Sequence, residues 1–406
     1  MKLDPARHPW MNARETRAVF AALGEARFVG GAVRNALMGE AVADIDIAMP
    51  LVPLEVEKRL KAAGLGAVHT GIDHGTITAI SSGKPFEVTT LRRDVSTDGR
   101  RATVAFTDDW KEDAARRDFT MNALYASADG EIFDYFGGEK DLKAGRVRFI
   151  GDAAARIRED YLRILRLFRF HAWYGKGELD KDALRASAAE KAALAKLSGE
   201  RVQKEMLKLL AADNPTPVLR AMAASGILGE ILPAQADIAR LERVVAIDND
   251  NFFPADPLLR LAAMLEGGAG AVAERFKLSN ADRDRLVDAL SAQERIVSYL
   301  SIREVRKLLY RLGSQRFRDL VRLRWAQDPK ASNGIQWRAL LAMGDAWERP
   351  AFPLTGRDVM NAGVPEGPMV GRVLSEVEDW WIDADFIEDE FSLAERLKAV
   401  VQAMAY

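Results

Sequence analysis

Hydrophobic positions follow two different patterns along the chain, and the change falls near residue 150. Before it, short apolar runs of strand length alternate with amphipathic stretches, and strands are predicted at 27–29, 76–80 and 86–91. From Asp152 onward the apolar spacing is helical, interrupted only by proline and glycine breaks. We therefore predict an α+β head built on a mixed sheet, followed by an all-α remainder.

A pair of glycines marks the turn after the first of these strands. Gly30 and Gly31 stand at a strand-to-helix junction, and Arg34 lies just inside the helix. Glycine lets a backbone approach a phosphate closely, and the N–H groups at the start of a helix attract an anion. A Gly-Gly turn alone is usually no more than a turn. The residues that follow make this one a candidate phosphate site.

Two carboxylates, Asp44 and Asp46, follow on the next predicted strand. Residues i and i+2 of a strand point to the same side, so we expect the two side chains to project together, with Ile45 turned inward. Paired like charges are unfavourable unless a cation lies between them, and Mg²⁺ is the oxygen-preferring ion that fits best. An Asp-x-Asp alone is more often a solvated strand edge. The order of glycine turn, arginine and carboxylate pair indicates metal-assisted phosphoryl or nucleotidyl transfer.

Glu87 is a candidate third carboxylate. It lies in the apolar, β-branched stretch 86–91, where a charge is out of place unless it is paired or bound to a metal, although an exposed strand face explains it equally well. The stretch 92–106 that follows carries four arginines, Arg101 among them, and an Asp-Gly turn. We interpret this stretch as a loop, either simply solvated or mobile and able to close over a triphosphate.

Further donors and acceptors cluster near residue 120. Arg116 and Arg117 are followed by Asp118 and Asn122, at the end of an amphipathic helix pattern that begins near Asp108. Arginines suit phosphates, and an acid and an amide suit ribose hydroxyls. The segment is therefore a second candidate for nucleotide binding.

A helix predicted over 153–173 carries a charged stripe. Arg163, Arg166 and Arg169 recur every three residues, with Asp160 one step before them. Such a stripe is usually a solvated helix face. On one face, however, Asp160 offers acceptors and Arg163 offers donors, which complement the Watson–Crick edge shared by cytosine and adenine and mismatch that of guanine and uracil. The helix is therefore also a candidate base reader.

Composition limits the setting. The chain has 406 residues, so roughly two to four domains are expected, and a formal net charge of -2 excludes a uniformly basic nucleic-acid binder. The absence of cysteine excludes disulfides and thiolate zinc sites. Because residues 172–406 contain no histidine, a metal phosphohydrolase of the His-Asp type is excluded there. The sequence shows no apolar leader and no membrane-length apolar stretch, so we expect a cytoplasmic location.

Together and in this order, these segments resemble the motifs of the class II CCA-adding enzymes and bacterial poly(A) polymerases, a family of the polymerase-β superfamily. The resemblance covers most of the chain and is most specific in its first half. It implies four parts: a polymerase-β-like nucleotidyltransferase head at 1–150, a helical neck with the base-reading helix at 151–212, a helical body at 213–295 and a helical, tRNA-binding tail at 296–406.

The resemblance also implies roles in catalysis. Asp44 and Asp46 correspond to the catalytic carboxylates that bind the metal, with two Mg²⁺ ions expected, and Glu87 corresponds to the third carboxylate. The residues implied to contact the nucleotide and its phosphates are Gly30, Gly31, Arg34, Arg101, Arg117, Asp118 and Asn122.

Base reading is assigned in the same way. Asp160 and Arg163 correspond to the amino-acid template that pairs with the incoming C or A, and Arg166 and Arg169 continue that helix. The pair Glu200-Arg201 resembles a last motif that supports the template helix.

Two features bear on which member of the family this is. Poly(A) polymerases carry an extra basic segment before the strand of the third carboxylate, whereas residues 48–85 hold only four lysines and arginines. This difference favours CCA addition, and the basic stretch 92–106 favours addition of all three nucleotides. Asn35 stands where the family usually has Asp, which changes one acceptor near the phosphates but no metal ligand.

The resemblance therefore implies template-independent addition of C, C and A to the 3′ end of tRNA from CTP and ATP, with no membrane and no protein partner. Three alternatives remain at this point: a poly(A) polymerase that adds A to RNA 3′ ends, a catalytically inactive RNA-binding protein, and a nucleotidyltransferase with a small-molecule substrate. Three candidate carboxylates argue against the second, and the long helical remainder argues against the third.

Overall fold

The structure is a computed structural model that covers nearly the whole chain. It describes residues 2–72, 75–98, 101–387 and 389–404, with only the backbone described at 94–98 and 101–104. The chain forms two compact units. The first comprises Met1–Pro233 and Glu274–Lys277, and the second comprises Ala234–Ala273 and Leu278–Tyr406. The finer division into head, neck, body and tail stays a prediction.

The first unit begins with an α+β head. Its strands are β1 (Arg27–Val29), β2 (Asp46–Met49), β3 (Gly66–Gly71), β4 (Thr76–Ser81), β5 (Lys84–Thr90), β6 (Arg92–Asp98), β7 (Arg101–Phe106), β8 (Leu124–Ala126) and β9 (Ile132–Asp134). Seven of the described strands form one sheet in the order β3-β4-β5-β2-β1-β8-β9. In that sheet β2 and β5 run parallel, and the other neighbours are antiparallel. The prediction of a mixed-sheet head is confirmed.

Helices flank the sheet and make up the described chain beyond it. Those of the head are α1 (Pro9–Asn12), α2 (Arg14–Leu23), α3 (Gly31–Met38), α4 (Pro53–Ala62), α5 (Trp110–Ala115) and α6 (Gly138–Ala144). Those that follow in the first unit are α7 (Ala153–Glu159), α8 (Leu162–Tyr174), α9 (Lys181–Ala189), α10 (Gly199–Leu210), α11 (Thr216–Ala224) and α12 (Ile227–Ile231). The all-α remainder that the apolar spacing predicts is therefore confirmed.

The remaining helices belong to the second unit, except that α15 runs from the second unit into the first. They are α13 (Ile238–Asp250), α14 (Pro257–Met264), α15 (Ala269–Phe276), α16 (Asn280–Ser291), α17 (Ile302–Leu312), α18 (Ser314–Trp325), α19 (Gly334–Asp345), α20 (Gly356–Asn361), α21 (Pro368–Asp383) and α22 (Glu390–Met404). In the ranges that the structure describes, no helix is both long and apolar enough to cross a membrane.

Strand alternation on β4 and β5 places the core on one side of the strand and more exposed residues on the other. On β5, Phe86 and Val88 are buried while Glu87 is exposed, as expected for a period of two. Trp110 of α5 packs with Tyr125 of β8 in the apolar core of the head. Burial of such side chains is the main stabilising contribution to the sheet, at about 25 cal/mol per Å² of apolar surface. Glu87 is thereby left on the exposed side of β5.

The stretch 92–106, which we predicted to be a loop, forms an antiparallel hairpin. Strands β6 and β7 pair from Arg92 opposite Phe106 to Asp98 opposite Arg101. The loop prediction gave the four arginines more weight than the β-branched residues between them. Those β-branched residues, and the Asp-Gly dipeptide that lies between them in the sequence, are signals typical of paired strands.

The short segment Glu274–Lys277, which comprises the end of α15 and the residue after it, belongs to the first unit and holds the segment before α10. Arg275 donates hydrogen bonds to the carbonyl oxygens of Leu194 (3.2 Å) and Leu197 (3.3 Å). A Cβ at Gly199 would lie 2.3 Å from the carbonyl oxygen of Arg275, so only glycine fits at this contact. The first unit is therefore completed by a distant piece of the chain.

The described part of the second unit is mainly helical. Phe317 and Trp337 are buried in one of its apolar clusters. Asp248, fully buried, accepts hydrogen bonds from Arg260 (3.1 Å) and from Arg322, so its charge is paired inside the unit. Removing one member of such a group leaves a buried charge without its partner, which is strongly destabilising.

Candidate active site

A polar cleft of about 430 Å³ opens in the first unit, where the start of α3, the segment 116–122 and the start of α8 meet. Ten of the predicted site residues line it: Gly30, Gly31, Arg34, Asp46, Arg117, Asp118, Asn122, Asp160, Arg163 and Arg166. The structure thus brings together segments from three parts of the sequence. Asp44, Glu87 and Arg169 do not line this cleft, and the side chain of Arg101 lies outside the described residues.

The carboxylates meet at the parallel pair of strands. Asp46 is the first residue of β2 and lies directly opposite Glu87 of β5. The prediction that Asp44 also stands on this strand is wrong, because the strand begins only at Asp46 and Asp44 occupies an exposed bend before it. Ile45 between them is buried, as expected.

Asp46 experiences the charge of both other carboxylates. Burial and the negative charge of Glu87 raise its pKa, Asp44 adds to the rise, and the nearby positive charge of Arg117 opposes it. Within the described ranges, no three acidic or histidine side chains converge closely enough to form a ready metal cluster. The donor set nevertheless fits a hard divalent cation, because all of its atoms are carboxylate oxygens and a cation would relieve the repulsion at Asp46.

The glycine turn lies beside an arginine. Gly30 has a φ of 65° and precedes the first residue of α3, a backbone conformation that favours glycine. A Cβ at Gly30 would lie 3.5 Å from Nη1 of Arg117 and 3.7 Å from the carbonyl oxygen of Asn122. The turn and the arginine therefore share the space in which a phosphate would be held.

Arg34 is held by three neighbours. Its guanidinium donates to Oδ1 of Asn122 (2.6 Å), to the hydroxyl of Tyr174 (2.9 Å) and to Oδ1 of Asn35 (2.9 and 3.2 Å), and it lies 4.2 Å from the ring centre of Tyr174. Burial lowers the pKa of Arg34 from its ordinary value. Most of its donors are thus used inside the protein, so Arg34 connects α3 to α8 as well as lining the cleft.

Asp118 and Asn122 are engaged with each other and with α8. Oδ1 of Asp118 accepts from Nδ2 of Asn122 (3.0 Å) and from the N–H of Phe119 (2.8 Å), while Oδ2 accepts from Nε of Arg166 (2.7 Å) and from its Nη2. Burial raises the pKa of Asp118, but Arg166 and these hydrogen bonds outweigh it and hold the pKa at about 2.

The predicted single helix over 153–173 is broken at Asp160. Asp160 has an extended backbone (φ −154°, ψ 107°) that ends α7, and its Oδ1 accepts from the N–H of Leu162 (3.1 Å) at the start of α8. Asp160 and Arg163 therefore do not share one helix face, as we had expected. An aspartate side chain that bonds to backbone N–H groups competes with the helix, which explains the break.

Both residues still reach the cleft. Oδ2 of Asp160 accepts from Nη2 of Arg201 (2.7 Å), and Nη1 of Arg163 donates to Glu159 (2.5 Å) and to the carbonyl oxygen of Arg156 (2.7 Å). The contact of Arg201 with Asp160 agrees with the supporting role that the resemblance implies for Arg201. The acceptor oxygen of Asp160 and the donor groups of Arg163 are thus held at the cleft by neighbouring residues.

Arg169 faces elsewhere. Its Nε donates to Glu205 of α10 (2.5 Å), and its guanidinium lies 4.2 Å from the ring centre of Phe170. These contacts join α8 to α10 and leave Arg169 outside the cleft.

Sequence reasoning missed several partners of these arginines, namely Asp113, Tyr125, Arg156, Tyr174 and Glu205. The spacing of Asp113 and Arg117, four residues apart on a helix, is a signal that could have identified the first. Phe170 and Tyr174 are also four residues apart on a helix, α8, so the same signal could have indicated that their rings lie together. Nothing in the sequence marks Tyr125 or Glu205, because their partners lie 8 or more residues away on other elements.

Comparison with known proteins decides the family. Residues 26–148 match a family described as the poly A polymerase head domain, and residues 178–238 match one described as a probable RNA and SrmB binding site of polymerase A. The chain is 33% identical to the mitochondrial CCA tRNA nucleotidyltransferase 1 of Mus musculus over 92% of its own length and 86% of the relative's. This chain belongs to the CCA-adding enzyme family.

Other members agree. The chain is 32% identical to the CCA-adding enzyme of Levilactobacillus brevis, over 87% of this chain and 88% of that one. The structure matches a crystal structure of the Bacillus stearothermophilus CCA-adding enzyme in complex with CTP, with a TM-score of 0.76 at 27% identity over 97% of this chain and 98% of that one. The resemblance inferred from the motifs is confirmed. Membership in this nucleotidyltransferase family implies dependence on a divalent metal ion.

Proposed function

We propose that this protein adds C, C and A in turn to the 3′ end of tRNA, from CTP and ATP and without a nucleic-acid template. The observation that carries the proposal is that one cleft contains the glycine turn, Asp46, and the pair Asp160 and Arg163. Phosphate-binding, catalytic and base-reading groups thus face one space of a size suited to a single nucleotide. The names of the relatives, and the CTP bound to the Bacillus enzyme, support this substrate class.

The metal-binding residues are Asp44 and Asp46, with Glu87 as the third carboxylate. Two Mg²⁺ ions held there would lower the pKa of the attacking 3′-hydroxyl and neutralise charge on the pyrophosphate leaving group. The carboxylates position the reacting end of the nucleotide at the edge of β2 and β5, next to the glycine turn.

The phosphates are bound by backbone and side-chain donors. Gly30 and Gly31 permit a close approach to the N–H groups at the start of α3, and Arg117 supplies a guanidinium beside them. Asp118 and Asn122 line the same cleft and bind Arg34 and Arg166. They therefore also hold the phosphate-binding end of the cleft at a fixed distance from its base-binding end. Arg101 remains a proposed phosphate contact from the β6–β7 hairpin.

Base choice is assigned to Asp160 and Arg163. The carboxylate accepts a hydrogen bond from the exocyclic amine of C or A, and the guanidinium donates to the adjacent ring nitrogen. Guanine and uracil offer a ring N–H donor and a carbonyl there, so buried polar groups would be left without partners. Arg201 and Glu159 hold the two side chains before a base arrives.

An extension assay tests the proposal. Transcripts of tRNA that end before, within and just short of CCA are offered Mg²⁺ with CTP, ATP, UTP or GTP, singly and in pairs, with Asp46→Asn as the inactive control. Addition of C, C, A and then a stop is expected. A ladder of A without use of CTP would make the protein a poly(A) polymerase, and no extension by the wild type would favour an inactive RNA-binding protein. A cytoplasmic location remains a prediction.

A further inference from the structure

Asp113 of α5 lies behind the cleft with 1% of its surface exposed, and all of its acceptor positions are used. Oδ1 accepts from the backbone N–H of Arg92 (3.2 Å) and from Nε of Arg116 (2.8 Å). Oδ2 accepts from Nη2 of Arg117 (3.2 Å) and from the hydroxyl of Tyr125 (2.6 Å). A carboxylate has about four acceptor positions, so this one is saturated and cannot rotate without losing bonds.

Asp113 and Tyr125 together hold the side chain of Arg117. Arg117 donates Nη2 to Asp113 and Nε to the hydroxyl of Tyr125 (3.2 Å). Its Nη1 makes no hydrogen bond to any residue that the structure describes, and it lies 3.5 Å from the position that a Cβ of Gly30 would occupy. The end of the guanidinium that remains free therefore faces the glycine turn.

The electrostatics agree with this geometry. Although burial opposes it, the charges of Arg117 and Arg116 lower the pKa of Asp113, so the carboxylate is ionised at neutral pH. Arg117 in turn opposes the raised pKa of Asp46, which means that its charge is felt at the catalytic strand. Asp113 thus supports the positively charged guanidinium of Arg117, which lies beside the glycine turn and whose charge is felt at Asp46.

We propose that Asp113, together with Tyr125, is a positioning residue for nucleotidyl transfer that holds Arg117 so that its free Nη1 faces the phosphate-binding turn at Gly30. This inference rests on the proposed function, because it needs a triphosphate at that turn. An unsupported arginine samples many rotamers, and ordering it when a triphosphate binds costs free energy. Because Asp113 and Tyr125 order Arg117 when the protein folds, this cost does not arise during nucleotide binding.

The same carboxylate ties in the β6–β7 hairpin. Its bond to the N–H of Arg92 holds the first residue of β6. Base reading, by contrast, does not depend on the carboxylate of Asp113, since Arg163 contacts the backbone carbonyl of Arg116 (3.3 Å) and not its side chain. The inference therefore separates two properties: loss of Asp113 affects the use of every nucleotide alike and leaves the choice among them unchanged.

Asp113→Asn is the first variant to examine. The amide keeps the size of the side chain but turns N–H groups toward donors, so Arg117 loses its ion pair. We expect kcat/KM for CTP and for ATP to fall by about 10²-fold, the cost typical of a misplaced contact, with the preference for C and A over U and G retained. Tyr125→Phe removes one of the two supports and is expected to lose about tenfold.

A double-mutant cycle distinguishes positioning from a general effect on the fold. If Asp113 acts through Arg117, then Asp113→Asn adds little to the loss caused by Arg117→Ala. Asp248→Asn is the matched control, because Asp248 is equally buried and pairs with two arginines in the second unit. It is expected to lower the melting midpoint while leaving kcat/KM for nucleotides unchanged below that midpoint.

The outcomes are separable from those of the proposed function. If the wild type extends tRNA with neither CTP nor ATP, the proposed function fails whatever Asp113 does. If the wild type is active, a folded Asp113→Asn variant with wild-type kcat/KM overturns the inference. Additive losses of kcat/KM in the double-mutant cycle also overturn it. So does a loss of activity in Asp113→Asn that appears only at temperatures where the variant unfolds.

Discussion

Arg166 of α8 donates Nε and Nη2 to the same carboxylate oxygen of Asp118, and this pair joins the head to the helix that carries the proposed base reader. Both residues were predicted to contact nucleotide, but in the structure their charged groups face each other. The pair brings two segments of the cleft, 48 residues apart in sequence, into contact.

This pair makes stability depend on acidity. The pKa of Asp118 in the folded protein is about 2, below its ordinary value of 3.8, so its contribution is present above about pH 4 and is lost as the pH falls through 2. The shift corresponds to about 2 to 3 kcal/mol. We expect Asp118→Asn to lower the urea midpoint of the first unit strongly at pH 6 and progressively less toward pH 2.5. A difference between variant and wild type that does not change with pH would contradict this.

Catalysis is predicted to depend on the carboxylates at the parallel strands. Asp46→Asn is expected to reduce nucleotide addition by about 10³-fold or more, since losing several kcal/mol of transition-state stabilisation has that effect. Asp44→Asn should lose a similar factor, and removal of divalent ions with EDTA should abolish addition reversibly. Rates are measured on tRNA lacking A, with melting curves as the fold control. Wild-type rates in both variants would refute the assignment.

Base choice is predicted to divide the arginines of α8. Asp160→Ala and Arg163→Ala should relax the preference for C and A over U and G, because they remove the groups that face a base edge. Arg169→Ala should leave that preference intact and lower stability instead, since Arg169 pairs with Glu205. The test measures, for each variant, the rate at which each of the four nucleotides is added to tRNA. Relaxed choice in Arg169→Ala alone would reverse the assignment.

Asn35 is predicted to act mainly through Arg34. Its Oδ1 accepts from Arg34, while its Nδ2 donates to the carbonyl oxygen of Ala41 (3.1 Å) in the segment that leads to Asp44. Asn35→Asp keeps the bonds from Arg34 and loses the donor, so activity should stay within about threefold of the wild type. Asn35→Leu loses both and should fall about tenfold. Equal losses in the two variants would show that the contact with Ala41 matters more.

Much of the head could be predicted because its signals are local. The burial of Phe86 and Val88 on either side of Glu87 follows from alternation alone, and the bounds of β1 match the predicted strand. The hairpin was missed because charge was given more weight than β-branched residues. In both cases the information lies within a few neighbouring residues.

The cleft was predicted only in part because its contacts are long-range. The apolar period continues through Asp160, and neither Pro nor Gly marks the break that the carboxylate of Asp160 makes. Tyr125 meets Arg117 across a turn of the chain, and Arg92 meets Asp113 from 21 residues away. Such pairings depend on how the sheet is assembled, which no local pattern reports. For the same reason, Arg34 and Asp118 were expected to be free to bind a ligand. In the structure both side chains bind Asn122, and Asp118 also binds Arg166.

The contact of Arg275 with Leu194 and Leu197 has a consequence for how the protein can be divided. A fragment that stops at Pro233 would lack residues 274–277, and the two carbonyl groups and the close contact at Gly199 would be exposed to water. Each unit is assembled from two separate lengths of chain. A single crossover between related genes therefore cannot exchange one unit intact. A chimaera that exchanges a whole unit needs three junctions, one after Pro233 and one on each side of residues 274–277.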